Sequence, residues 1–258
     1  MKNIGGQDKL YHRYENDLER INYEAEHNAS AFIARTEAAF HRDIRKIAET
    51  IASSTDLCKV IMLAGPSSSG KTTTAHILLD ALRECGIGSQ VISLDNFYKG
   101  ESDAPLLENG QHDYESVEAL NVPLLERCLL DLMETNACDM PVFDFENHCP
   151  HPYTRRIRFG EREIAVVEGI HALNPAISRH LPEDGVLKIY ISVKQGFEEQ
   201  GEALLSPNQV RLVRRLVRDS LFRNTQPGRT LDMWDTVMDG ERKYIKPDRG
   251  EADVTINS

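Results

Sequence analysis

Residues 60–72 read Val60-Ile-Met-Leu-Ala64-Gly65-Pro66-Ser67-Ser68-Ser69-Gly70-Lys71-Thr72. Five consecutive apolar residues predict a strand buried on both faces. The eight that follow fit G-x-x-x-x-G-K-[ST], a pattern that average composition would produce in roughly one chain in a hundred of this length. From Thr72 to Cys85 the sequence is amphipathic at helical spacing, and Gly86 predicts where that helix stops. Strand, glycine-rich loop and helix form the setting in which this pattern holds phosphate. Gly65 and Gly70 permit the backbone to turn successive N–H groups inward, and the helix N-terminus adds the positive end of its dipole. Lys71 then reaches the β- and γ-phosphates of a nucleotide, and the Thr72 hydroxyl ligates Mg²⁺. Gly65, Pro66, Ser67, Ser68, Ser69, Gly70, Lys71, Thr72 and Thr73 are the candidate ATP-binding residues. ATP and Mg²⁺ are the expected donor and cofactor.

Outward from this stretch, short apolar runs alternate with helical segments. Residues 91–94, 164–167, 187–191 and 253–256 read as further strands, and residues 141–145 as a short extended piece. Residues 117–135, 207–222 and 230–244 read as helices, and the Gly-, Asp-, Asn- and Pro-rich stretch 99–113 as a loop. Apolar strands separated by helices predict an α/β fold with a parallel sheet covered on both faces. Residues 1–56 are expected to form an N-terminal helical extension, and residues 57–258 the nucleotide-binding domain, with a lid around 205–230. In the extension Tyr11, Tyr14, Leu18 and Ile21, then Ile33, Phe40, Ile44, Ile47 and Ile51, recur at spacings of three, four or seven. That stripe fits packing on the main domain or on a partner subunit, so a homo-oligomer is one expectation.

Bulk properties exclude several classes. Thirty basic against 41 acidic residues give a net charge of −11, the wrong balance for a nucleic-acid groove, which needs clustered Lys and Arg. No apolar run reaches the length of a membrane span, and the N-terminus shows no secretory h-region. Five cysteines, an odd number without a CxxC pair, fit a reduced, cytoplasmic protein with free thiols.

Ligands of open α/β sheets bind at the carboxyl ends of the strands. Asp95 stands at one such end, where it could take a proton from an attacking hydroxyl or cap a turn. Glu168 ends the run 164–168, where a carboxylate could hold Mg²⁺ or be an ordinary terminal charge. Arg211, Arg215 and Arg218 fall on one helical face, with Arg214 and Arg223 nearby. They could stabilise a transferring phosphoryl group or form a solvated stripe. The N-K-x-D motif of base-reading GTPases and the LSGGQ motif of transporters are both absent.

Together, the loop 65–72, Ser93-Leu-Asp-Asn-Phe-Tyr-Lys99, Pro141-Val-Phe-Asp-Phe-Glu-Asn-His148, Val167-Glu-Gly-Ile170 and Arg214-Arg-Leu-Val-Arg-Asp219 resemble the uridine kinase/phosphoribulokinase family of P-loop kinases. Within it the resemblance leans to bacterial uridine kinase-like nucleoside kinases, through residues 113–120, 168–175 and 252–258. It covers about residues 59–258, with the motifs in order. The resemblance implies a five-stranded parallel sheet, an arginine-bearing lid, and phosphoryl transfer from ATP to the 5′-hydroxyl of a pyrimidine ribonucleoside such as uridine or cytidine. It implies Asp95 as general base with Lys71, Arg218 and Arg223 as catalytic partners, and Thr72 and Glu168 on the metal side. Glu115, or Asp113 beside it, would hold the ribose hydroxyls. His148 would face the base, Tyr114 and Phe145 would pack on it, and Arg215 would sit at the acceptor. Three positions depart from the family. Phe143 replaces a tyrosine, the lid reads Arg223-Asn-Thr225 where Arg-Gly-Arg is usual, and residues 149–154 lack the arginine that usually follows the histidine. Phe143 keeps a sugar or vitamin kinase of phosphoribulokinase or pantothenate kinase type open as an alternative. The lid keeps open a nucleotide-binding regulator without turnover.

Overall fold

An apolar strand needs cover on both faces, and the central sheet supplies it by alternating its side chains between two cores. The computed structural model describes residues 14–54, 58–108, 110, 112–144 and 147–258. In chain order these form β1 (Tyr14–Asp17), α1 (Leu18–His27), α2 (Ala29–Ser53), β2 (Val60–Ala64), α3 (Lys71–Glu84), β3 (Gly88–Ser93), α4 (Val122–Thr135), β4 (Ala137–Asp144), β5 (Cys149–Arg158), β6 (Glu163–Glu168), α5 (Pro175–Ser178), β7 (Val186–Ser192), β8 (Gln195–Glu199), β9 (Glu202–Leu205), α6 (Pro207–Phe222), α7 (Pro227–Asp232), α8 (Trp234–Gly240) and β10 (Val254–Asn257). Five strands make one sheet in the order β10-β7-β2-β6-β3, every pairing parallel. The expected five-stranded parallel sheet is therefore present, with the phosphate-loop strand β2 at its centre.

Val60, Met62 and Ala64 of β2 enter the core shared with α4, while Ile61 and Leu63 enter the core shared with α2 and α3. All five are buried, which is why the strand reads as an unbroken apolar run. Helix α3 begins at Gly70, whose φ of 89° lies in the left-handed region, and ends before Gly86 at φ 77°. Helix α6 is started by a capping box between Ser206 and Gln209, with Pro207 in its first turn. Both helices run within a residue of their predicted bounds.

The strands outside the central sheet are the ones the pattern did not disclose. β4 and β5 form an antiparallel arm, of which the extended piece at 141–145 is only the end. β1 pairs parallel with β8, and β8 antiparallel with β9. β5 exposes nearly its whole length and buries only Ile157, so it carries no apolar alternation to read. In the extension, Ile44, Ile47, Ala48 and Ile51 of α2 pack into the core with α3 and the sheet. Ile33 and Tyr23 remain exposed. Tyr11, and the expected boundary at 56/57, lie outside the described residues. No described helix is long and apolar enough to cross a membrane.

Half of α2 is thus built into the core of the domain. Ile51 is 0% exposed and Ile33 55% exposed, so Ile51→Ala should cost about 2–5 kcal/mol and Ile33→Ala no more than about 0.5 kcal/mol. Denaturant unfolding of both variants measures the difference. Equal, small losses would mean that α2 contributes nothing to the folded core.

Candidate active site

The loop after β2 meets the carboxyl ends of its neighbours, and the sequence there is dictated by space. A Cβ on Gly65 would lie 2.5 Å from the Ile191 carbonyl oxygen. At Gly70 it would lie 3.1 Å from Arg214 Nη2, on a backbone already at positive φ. Ser68 takes a left-handed φ of 59°, which points the loop's main chain inward. The hydroxyls of Ser68 and Ser69 are buried with no hydrogen-bond partner among the described residues. Lys71 Nζ donates to the Pro66 carbonyl at 3.2 Å, inside its own loop. Thr72 and Thr73 are exposed on the first turn of α3. Inward backbone, buried hydroxyls without partners and a tethered ammonium are what a phosphate chain would satisfy, so the residues fit ATP.

The basic face of α6 is not a solvated stripe. Arg211 and Arg215 are only 2% and 7% exposed. Arg211 donates through Nε and Nη2 to the Ser67 carbonyl, each at 3.1 Å, and through Nη1 to Glu241. Arg215 donates to Ser67 Oγ at 2.9 Å and pairs with Asp219 at 3.3 Å. Asp219 also accepts from Arg218 at 2.6 and 2.9 Å and from the Thr230 hydroxyl at 3.2 Å. Burial acts to raise the Asp219 pKa, but the Arg218 hydrogen bond and the charges of Arg218 and Arg215 together outweigh it and hold it low. Helix α6 is therefore tied to the phosphate loop by two guanidiniums. Arg223 caps its end on the surface, with its charge still felt at Asp95.

Three carboxylates gather around Lys71. Asp95 follows β3 in a short helical turn, Leu94–Phe97. Glu168 ends β6 and accepts from the Ser93 hydroxyl at 3.0 Å. Glu115 lies under α8, close enough that a Cβ on Gly240 would come 2.6 Å from its own Cβ. Burial depresses the Lys71 pKa, against the pull of Glu168, Asp95 and Glu115. Burial raises Asp95, opposed by Lys71 and Arg223. It raises Glu168 as well, opposed by Lys71 and the Ser93 hydrogen bond. Glu115 is lifted to about 6, again by burial, with Arg215 and Lys71 opposing.

The two candidate ribose carboxylates have different surroundings. Asp113 already accepts the Tyr244 hydroxyl at 2.7 Å, whereas Glu115 faces the charge cluster. Tyr98 links the aromatic residues of this side. Its ring meets Tyr114 edge-on at 6.1 Å and Phe143 at 6.0 Å, and its hydroxyl donates to the Tyr114 carbonyl at 3.1 Å. Phe143 is buried, its N–H donating to Asn96 Oδ1 at 3.3 Å. His148 is exposed in the β4–β5 turn, where its carbonyl accepts from the Glu101 N–H, so it is not gathered with the buried cluster. Phe145 lies outside the described residues. The bracing by Arg211, Glu241, Ser93, Asp219 and Tyr98 escaped sequence reasoning. Ser93 and Asp219 stand inside motifs already singled out, whereas nothing around Glu241 marks it.

Comparisons with known proteins add a second line. The model of the phosphoribulokinase/uridine kinase family matches residues 60–258. Uridine kinase of Saccharomyces cerevisiae is 30% identical over 202 residues, which span 77% of this chain and 36% of the yeast protein. Uridine kinase of Lactobacillus johnsonii is 27% identical over 198 residues, spanning 76% of this chain and 85% of that protein. The solved structure of D-glycerate 3-kinase from Cryptococcus neoformans var. grubii superposes with a TM-score of 0.53 at 15% identity, covering 84% of this chain and 89% of that one. At that identity it shows the fold alone.

The Glu115 environment carries a stability signature. A carboxyl lifted to about 6 from an ordinary 4.5 binds its proton more tightly in the folded protein than in the unfolded chain. Its contribution to stability is complete below pH 4.5 and is lost as the pH rises through 6. Glu115→Gln should therefore stabilise the protein at pH 7.5 by on the order of 2 kcal/mol, seen as a higher Tm, and leave Tm nearly unchanged at pH 4.5. Differential scanning calorimetry at both values measures this. An equal effect at the two values would show that Glu115 is not held by burial.

Proposed function

The chain belongs to the phosphoribulokinase/uridine kinase family, and on that footing we propose that it is an ATP-dependent kinase acting on a small-molecule hydroxyl. The 5′-hydroxyl of a pyrimidine ribonucleoside, uridine or cytidine, is the proposed acceptor. The observation that carries this reading is the gathering of Asp95, Glu115 and Glu168 around Lys71, beside a loop built for phosphate. Membership supports the class of reaction, and the two relatives named uridine kinase support the acceptor.

Each residue has a part that its chemistry suits. The loop's N–H groups and Lys71 bind the donor phosphates, with Lys71 leaving the Pro66 carbonyl to do so. Asp95 accepts the proton of the attacking hydroxyl, a role favoured by a carboxyl whose pKa burial has raised. Glu115 orients the acceptor through its other hydroxyls, and the Tyr98, Tyr114 and Phe143 rings form an apolar wall for its base. Arg215 and Arg218 neutralise charge on the transferring group, which requires Arg218 to exchange Asp219 for phosphate. Thr72 and Glu168 would hold Mg²⁺, which when bound supplies charge neutralisation between the phosphates. Mg²⁺ takes one or two protein ligands and completes its shell with phosphate and water, so one hydroxyl and one carboxylate suffice.

A second reading keeps the chemistry and changes the acceptor. Phe143 gives that wall no polar group at a position where the family uses a tyrosine, and a site rejects analogues strongly only through polar groups it possesses. A sugar or other alcohol acceptor fits this feature.

Asp95→Asn should lower kcat about 10²–10⁴-fold with little change in ATP affinity. The assay is coupled ADP release over a panel of nucleosides, sugar phosphates and pantothenate. Wild-type turnover on uridine or cytidine, abolished in the variant, is the expected result. Turnover confined to a non-nucleoside would establish the second reading. ATP binding without turnover on any acceptor would overturn both.

A further inference from the structure

His171 is the buried titratable group that the mechanism above leaves without a task. It lies three residues beyond Glu168, in the connection from β6 to α5, and is 1% exposed. Its ring meets that of Tyr244 edge-on, with centroids 6.4 Å apart. The charges of Asp113 and Lys71 reach it, and the Glu115 main chain lies beside it. That main chain is near enough to favour a charged ring, yet among the described residues no atom meets hydrogen-bond geometry at Nδ1 or Nε2. Both ring nitrogens are thus without a partner among the described residues. Asp113, the neighbouring carboxylate that could have served one of them, is committed to the Tyr244 hydroxyl.

Leaving a buried polar atom unsatisfied is costly, and folded proteins leave few of them. Leucine or methionine at this position would fill the same space without that cost. Burial lowers the ring's pKa to about 4, so at neutral pH the imidazole is uncharged, with one N–H donor and one acceptor nitrogen. That pair is complementary to an alcohol, which both donates and accepts. It is poorly matched to a phosphate, which only accepts. Tyr244 and Asp113 also line a cavity of about 380 Å³, together with Pro105, Leu106 and Ser116. Tyr244 is thus shared between that cavity and the ring contact with His171.

We propose that His171 is a specificity-determining residue for the acceptor, hydrogen-bonding a sugar hydroxyl other than the one that is phosphorylated. The contact forms when the Tyr244–Asp113 pair yields as the acceptor enters. This rests on the nucleoside reading above and adds to it the hydroxyl pattern that the site demands.

His171→Leu separates this role from simple packing. Removing an unsatisfied imidazole should raise Tm in the absence of acceptor, while a packing role would lower it. In the same variant, KM for uridine should rise roughly 10- to 100-fold, as expected for one lost hydrogen bond to a substrate hydroxyl, with KM for ATP unchanged. Wild-type enzyme should discriminate against either 2′-deoxyuridine or 3′-deoxyuridine, and His171→Leu should lose that discrimination at one of the two positions. Undiminished discrimination at both positions overturns the proposal, as does an unchanged KM for uridine. His171→Gln, which keeps a donor and an acceptor, should recover part of the affinity. If the wild-type protein phosphorylates no nucleoside, the function proposed above fails, and the Tm comparison still decides the His171 claim: a fall in Tm overturns it.

Discussion

A guanidinium is costly to bury, and Arg211 is buried almost completely. It is tolerated because each of its three nitrogens has a partner: two donate to the Ser67 carbonyl and the third to Glu241, with the Trp234 ring 5.6 Å away. The rest of the site depends on that anchorage. It fixes the phosphate loop against α6 and so sets where Arg214, Arg215 and Arg218 stand. It also holds the π-helical turn Glu241–Ile245, which carries Tyr244 to Asp113. The phosphate loop and the Tyr244–Asp113 pair are thus joined through the buried Arg211–Glu241 ion pair.

Around it the protein accumulates charge that it does not fully pair. Lys71 is pushed down and Asp95, Glu115 and Glu168 are pushed up, in each case chiefly by burial. Such a cluster is poorly satisfied as it stands, and under the proposed function a polyanion with its metal would improve it. Serine hydroxyls without partners in the loop and an unsatisfied imidazole behind Tyr244 belong to the same pattern. Stability is spent locally, and the ligands are expected to return it.

The legibility of the sequence followed the same physics. Strands buried on both faces, such as Val60–Ala64, announce themselves as apolar runs, and α3 and α6 are bounded by residues whose backbone needs are specific: Gly70, Gly86, Ser206 and Pro207. The loop at 65–72 was plain for the same reason. The β4–β5 arm was not, because β5 is exposed on nearly all of its length. The fate of a charge could not be read either. Arg211 and Arg218 look alike on a helical wheel, yet one braces a main chain and the other pairs with Asp219. Asp113 stood as the alternative to Glu115 in the sequence, and only the fold brings the Tyr244 hydroxyl onto it. His148, by contrast, stood out as a motif residue and is exposed in a turn. Spacing reveals which residues share an element, whereas partners contributed by distant elements emerge only on folding.

The most direct test of the account is a crystal structure of the protein with a non-hydrolysable ATP analogue, Mg²⁺ and uridine. The account predicts Lys71 on the β- and γ-phosphates, the metal between Thr72 and Glu168, and the nucleoside's 5′-hydroxyl within hydrogen-bond reach of Asp95 and in line with the γ-phosphorus. A nucleoside bound with its 5′-hydroxyl directed away from Asp95, or triphosphate seated elsewhere than the loop at 65–72, would contradict it.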